Sequence, residues 1–134
     1  MDEETEALIE AAREIRSAAH VPYSEYPVGA AIETTDGEVF VGCNLENANY
    51  SNSLHAEEVA ISDAVKRGHR DFTRLAVSSG RQDGVTPCGM CRQTLAEFCD
   101  DDLRVICDEG ADAEPSEYTL GELLPNTITE EMLE

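Results

Sequence analysis

Two short apolar runs, RLAVSS at 74–79 and LRVICD at 103–108, flank a segment that opens TPCGMC and carries helical periodicity to about Cys99. Runs of this kind read as strands buried on both faces. The strand–helix–strand spacing predicts a parallel pair joined by a crossover helix. Upstream, VGAAIETTDGEVFVGC reads as two strands joined at Asp36-Gly37, a dipeptide suited to a tight hairpin turn. The expected fold is therefore an α/β layered domain whose sheet mixes a hairpin with parallel strands.

The helices follow from apolar spacing. ETEALIEAAREIRSAA, residues 4–19, places Leu8, Ile9, Ala12, Ile15 and Ala19 on one stripe. A second helix is predicted from His55 to about Arg67, closed by Gly68, and a short one around Leu120 to Leu124. Pro22 and Pro27 bracket an irregular segment, and NLENANYSNSL reads as a loop. No repeat or linker interrupts the 134 residues, so 1–134 are expected to form one domain burying roughly two-thirds of the unfolded surface.

Charge excludes several partners. Nine basic residues face 29 acidic ones, for a formal charge of −20. No basic cluster is present to neutralise phosphates, so neither a nucleic acid nor an anionic membrane surface is an expected partner. No apolar run approaches the ~20 residues of a membrane span, and MDEETEALIE reads as neither signal nor transit peptide. Five cysteines, an odd number that includes a C-x-x-C pair, read as cytoplasmic thiols and a metal site rather than a disulfide framework. Self-repulsion at this charge is relieved at ~1 M salt, where the Debye length falls to about 3 Å. The cytoplasm of a salt-accumulating organism is the expected setting, with unfolding or dissociation on dilution; a merely acidic mesophilic protein is the competing reading.

On the helix beginning at His55, Glu57 tops the apolar stripe of Ala60, Ile61 and Ala64, whereas Glu58 leads to Ser62 and Lys66 on a solvated face. Taken alone, His55 and Glu57 read as residues of a helix's first turn, which favours acids. A buried carboxylate nevertheless needs compensation. Cys88 and Cys91, three apart behind Pro87, share one face of another helix's first turn, and Leu95 and Phe98 continue it into the core. A helix N-terminus favours thiolates, the metal-binding form. Two thiolates and the His55 imidazole give three zinc ligands and leave one position open, the arrangement of catalytic rather than structural zinc. Alone, C-x-x-C also suits a redox pair, or a structural site completed by His20 or His69. Neither alternative explains a buried glutamate two residues from the histidine. His55-x-Glu57 with Pro87-Cys88-x-x-Cys91 follows the H-x-E…P-C-x-x-C pattern of zinc-dependent base deaminases. Cys43, Cys99 and Cys107 read as buried small hydrophobes, and His20 and His69 as surface or helix-end residues.

From about Ala7 to Leu124 the chain resembles the short, single-domain cytidine deaminases. The stretches VPYSEYPVGAAIET, GCNLENANY, HAEEVAISDAV, PCGMCRQTLAEF and GELLP carry the resemblance. It implies a three-layer α/β/α sandwich around a mixed five-stranded sheet, assembled as a homotetramer with sites at subunit interfaces. It implies one zinc held by His55, Cys88 and Cys91, with Glu57 as proton shuttle. Asn44 and Glu46 match the pair that grips the ribose hydroxyls, and Tyr26 an aromatic position beside the pyrimidine. The backbone amides of Ala56 and Cys88 and the carbonyl of Thr86 match groups that hold the pyrimidine carbonyl and the departing amine. Ala48 and Tyr50 match positions reaching a neighbouring subunit's site. The implied reaction is hydrolytic deamination of cytidine and deoxycytidine, with a pyrimidine nucleoside as substrate. A deaminase of another amino-heterocycle and a zinc-stabilised binding module are the competing readings.

The chain departs from the pattern of the family it resembles at three positions. Short members usually carry cysteine at His55 and arginine at Glu58, and an aromatic where this chain has Ile128. The first two changes are consistent with each other: replacing a thiolate by neutral histidine raises the zinc cluster's charge from −1 to zero, so a nearby cation is dispensable.

Overall fold

The computed structural model describes residues 2–80 and 85–133. Five strands, β1 (Val28–Thr34), β2 (Val39–Cys43), β3 (Phe72–Ser79), β4 (Arg104–Cys107) and β5 (Ser116–Thr119), form one sheet in the order β2-β1-β3-β4-β5. The β3–β4 pair is parallel, as the crossover spacing predicts, and the other pairs are antiparallel. Four α-helices accompany it: α1 (Glu3–Ile15), α2 (Ala56–Lys66), α3 (Gly89–Phe98) and α4 (Leu120–Leu123).

Alternation along the strands sorts the core into two layers. Ala31, Ala76 and Ile106 point to one face and meet Leu8, Ile9 and Ala12 of α1. Ala30, Ile32, Leu75, Val77, Val105 and Cys107 point to the other, against Ala60, Ile61 and Ala64 of α2, Leu95 of α3 and Leu120 of α4. The result is the expected three-layer α/β/α sandwich. Two glycines set its thickness. A Cβ on Gly29 would lie 2.0 Å from the Ala12 carbonyl oxygen, and one on Gly42 would lie 2.4 Å from that of Ala56. Helices α1 and α2 thus rest directly on strand backbone.

Local chemistry sets the ends. The Asp2 carboxylate accepts from the Thr5 amide at 2.7 Å and caps α1. α2 ends in a paired turn: Gly68, at φ 94°, donates to Val65 O and His69 to Ala64 O, each at 3.0 Å. His69 also pairs with Glu38 at 2.7 Å and packs on Phe40. α1 stops at Ile15 and gives way to a 3-10 turn, Arg16–Ala18, so Ala19, expected on the helical stripe, lies outside the helix. The cause is competition for backbone: His20 donates to Asn44 O at 3.0 Å and accepts from Glu46 N at 2.7 Å, drawing the chain toward the segment after β2. The β1–β2 connection is one residue longer than a two-residue hairpin, with Thr34 N on Glu38 O at 2.8 Å and Gly37 at φ 89°. β5 was not marked by any apolar run; it is a polar edge strand carrying Glu117 and Tyr118.

Behind the sheet, Arg74 is 5 % exposed and is held by Glu33 at 2.7 Å, Glu4 at 2.8 Å and the Thr5 hydroxyl at 3.0 Å. Asp108, 6 % exposed, accepts from Arg13 at 2.6 and 2.7 Å and from Ser78 at 2.8 Å. Of the cysteines expected to be buried hydrophobes, Cys107 is fully buried, while Cys43 and Cys99 are only half-buried. Burial still pushes the Cys99 thiol up to about 12 and Cys107 to about 11.

Candidate active site

His55 and Cys88 are the residues from which α2 and α3 start, both in extended backbone just ahead of the first helical turn. The two tips meet. His55 Nδ1 lies 3.1 Å from Cys88 Sγ and 3.3 Å from Cys91 Sγ. The three donor atoms all lie within 4.8 Å of one another, and among the described residues no fourth His, Cys, Asp or Glu joins them. His20 and His69, the possible fourth ligands, stand elsewhere, so a four-ligand structural site is not formed.

This donor set fits zinc: one imidazole nitrogen and two sulfurs, with room for a fourth position. Burial pushes the Cys91 thiol well above the ordinary range, and the negative charges of Glu57 and Cys88 push it further. A pair of thiolates here therefore calls for a bound cation, and metal binding would drive their deprotonation.

Glu57 lies in the first turn of α2, at the same corner, and is 6 % exposed. Burial raises its pKa, opposed by its own backbone amide, by His55 and by the Cys91 thiol. Its place on the stripe with Ala60, Ile61 and Ala64 is as predicted. Glu58 departs from expectation. Instead of a solvated face it is half-buried, and its carboxylate accepts from the His55 amide at 2.6 Å.

A cavity of about 200 Å³ opens at this corner, lined by Asn44, His55, Ala56, Glu57, Thr86 and Cys88, with Val28 and Val85 as apolar walls. Larger depressions, about 410 Å³ over the outer face of α2 and about 600 Å³ beside α1, lack the donor triad. Nothing in the sequence marks Val28 and Val85 as wall residues, since a lone valine carries no signal.

Cys91 and four of the expected substrate-binding residues lie outside that lining. Tyr26 is half-buried beside it, its carbonyl accepting from Asn44 Nδ2 at 2.9 Å while Asn44 Oδ1 accepts from Val28 N at 2.9 Å. Glu46 stands farther out, where one carboxylate oxygen accepts from the Tyr23 and Ser24 amides, each at 3.0 Å. Those contacts hold its pKa below the usual range. Ala48 and Tyr50 are exposed, and Tyr50 meets Tyr23 edge to face at 5.7 Å between ring centres. Arg92, likewise unmarked in the sequence, donates to Pro87 O and to Leu123 O, both at 2.7 Å, and to Thr86 Oγ1 at 3.1 Å.

Two helix tips that gather an imidazole, two sulfurs and a buried acid over a mixed sheet define a zinc-dependent deaminase scaffold. Residues 2–107 match the family profile described as the cytidine and deoxycytidylate deaminase zinc-binding region. The chain belongs to this family, and zinc is its cofactor. A cytidine deaminase of Sporosarcina psychrophila is 42 % identical over 131 residues, covering 97 % of this chain and 95 % of that protein. The crystal structure of cytidine deaminase from Burkholderia pseudomallei superposes with a TM-score of 0.87 at 38 % identity, covering 96 % of this chain and 100 % of that one. That of Mycobacterium tuberculosis gives 0.83 at 34 % identity, covering 96 % and 99 %.

Proposed function

We propose that this protein hydrolyses cytidine and deoxycytidine to uridine and deoxyuridine, releasing ammonia, with one zinc per chain held by His55, Cys88 and Cys91. The observation that carries the reading is the meeting of those three side chains within 4.8 Å beside a carboxylate only 6 % exposed, at the mouth of one small cavity. Held by these three side chains, zinc would supply Lewis acidity there and make water a better nucleophile near neutral pH.

The chain's own residues do the rest. Glu57 accepts a proton from the attacking water and delivers it to N3 of the pyrimidine; it then takes the second proton from the hydroxyl now on C4 and passes it to the amino group as the C4–N bond breaks and the C4 carbonyl forms. One water is consumed and one ammonia leaves. Burial suits Glu57 to this exchange, because a raised pKa brings its protonated and ionised forms closer in energy near neutral pH. The amides of Ala56 and Cys88 hold the pyrimidine carbonyl, and the Thr86 carbonyl accepts from the departing amine. Asn44 grips a ribose hydroxyl from the cavity wall. Glu46 and Tyr26 close on the sugar and the base from the rim. An ionised Glu46 repels a phosphate, which favours a free nucleoside over a nucleotide or polynucleotide.

Ala48 and Tyr50 are exposed, as residues serving a neighbouring subunit's site would be, which supports a homotetramer. Ile128, 62 % exposed, takes the place of the family's C-terminal aromatic in that assembly. The chain works as a single domain over 1–134, in pyrimidine salvage in a salt-rich cytoplasm.

The test is the ultraviolet spectrum of cytidine, deoxycytidine and guanine with purified protein in high salt, before and after Glu57→Gln. Cytidine and deoxycytidine turn over in the parent. The variant keeps its zinc and loses about 10²- to 10⁴-fold in kcat. A zinc-loaded parent inert toward both nucleosides would end this reading, and near-parental turnover by the variant would remove Glu57 from it.

A further inference from the structure

One side chain governs the segment that delivers Cys88 to the site. The Arg92 amide donates to Cys88 O at 2.9 Å, closing the first turn of α3. Its guanidinium then folds back, with Nε on Pro87 O and Nη2 on Thr86 Oγ1. Three consecutive residues, 86 to 88, are thereby bonded to a single arginine. The remaining arm, Nη1, reaches Leu123 O in the last turn of α4, where helix carbonyls lack intrahelical partners. α4 is itself fixed, by Leu120 at 1 % exposure and by the Thr119–Glu122 cap. In a chain with 29 acidic residues, this cation is committed to neutral oxygens. A planar fork with donors on several sides suits that pattern; a lysine ammonium, a single point, cannot span it.

We propose that Arg92 is a positioning residue that fixes the Thr86–Cys88 segment against the metal corner, using α4 as its anchor. It acts through two neighbours. Through Cys88 it sets where one sulfur meets His55 and Cys91. Through Thr86 it aims the carbonyl that accepts the departing amine, and this second role rests on the proposed function.

The experiment uses the full chain in high salt, as Arg92→Gln and Arg92→Lys, each checked for folding by circular dichroism. The first readout is transfer of zinc to a chromogenic chelator, which is independent of catalysis. Both variants release zinc faster, Arg92→Gln by about 10- to 100-fold and Arg92→Lys by less. The second readout compares ligands: KM for cytidine rises more than the inhibition constant of uridine, which has no amine for Thr86 to accept. A merely structural arginine would lower the unfolding temperature and leave zinc release and the cytidine-to-uridine comparison at parental values; that result, or failure of both variants to fold, overturns the proposal. If the parent turns over no cytidine, the proposed function fails while the chelator experiment still decides the role of Arg92.

Discussion

The amide of His55 donates to the carboxylate of Glu58 at 2.6 Å, so the residue facing the two cysteine sulfurs is held by the second acid of its own helix. Glu58→Ala leaves that donor without its partner at a helix start. The expected cost is about 1 kcal/mol of stability and a measurably weaker hold on zinc, read by thermal unfolding and by competition with a chelator. Glu58→Gln, which keeps an acceptor oxygen, should retain most of both. Equal behaviour of the two variants would mean that the amide finds another acceptor.

Gly42 controls how closely α2 approaches the sheet. A Cβ there would lie 2.4 Å from Ala56 O and 2.5 Å from Ala60 N, both backbone atoms of the turn that carries Glu57. Gly42→Ala must lift that turn, at an expected cost of about 1–3 kcal/mol and with lower kcat for cytidine. Chemical denaturation and steady-state rates check it; parental values in both would show that the contact yields freely.

Asp108 sets an acid limit. The Arg13 guanidinium, with help from Gly110 N and Ser78, holds its carboxyl at about 2, against an ordinary 3.8. The folded pKa is depressed, so the stabilisation is complete above about pH 4 and disappears as pH falls toward 2. Its size is about 2 kcal/mol. Asp108→Asn should be less stable than the parent at pH 6, with the gap closing across that window in urea titrations. A gap independent of pH would exclude this ionisation as the cause.

Salt dependence follows from the formal charge of −20. Unfolding temperature should climb with potassium chloride toward ~1 M, where the Debye length is about 3 Å, and dilution should unfold or dissociate the protein. Full stability and activity in dilute buffer would contradict the salt-rich setting.

Much of this molecule was readable from residue spacing. The β3–α3–β4 crossover, the β1–β2 hairpin and the burial of Glu57 on its stripe follow from local periodicity, which a chain carries wherever one face is apolar. Contacts made at long range to backbone left no such mark. Glu46 is a recognisable acid, yet nothing near it in sequence tells that it accepts from Tyr23 and Ser24, or that Asn44 spans Tyr26 and Val28. The role of Arg92 leaves no mark in the sequence, because its partners are carbonyls and a hydroxyl, which every sequence supplies. β5, with four polar or aromatic residues at an edge, is too short to show an alternation.

The buried guanidinium of Arg74 gives the chain's opening residues a purpose beyond capping. With Glu4 and Thr5 supplying part of its shell, the first helical turn works as a stopper in the rear wall of the sandwich. Trimming through Thr5 would leave that charge with Glu33 as its one hydrogen-bonded carboxylate among the described residues, whereas an affinity tag fused ahead of Asp2 is expected to leave the plug seated.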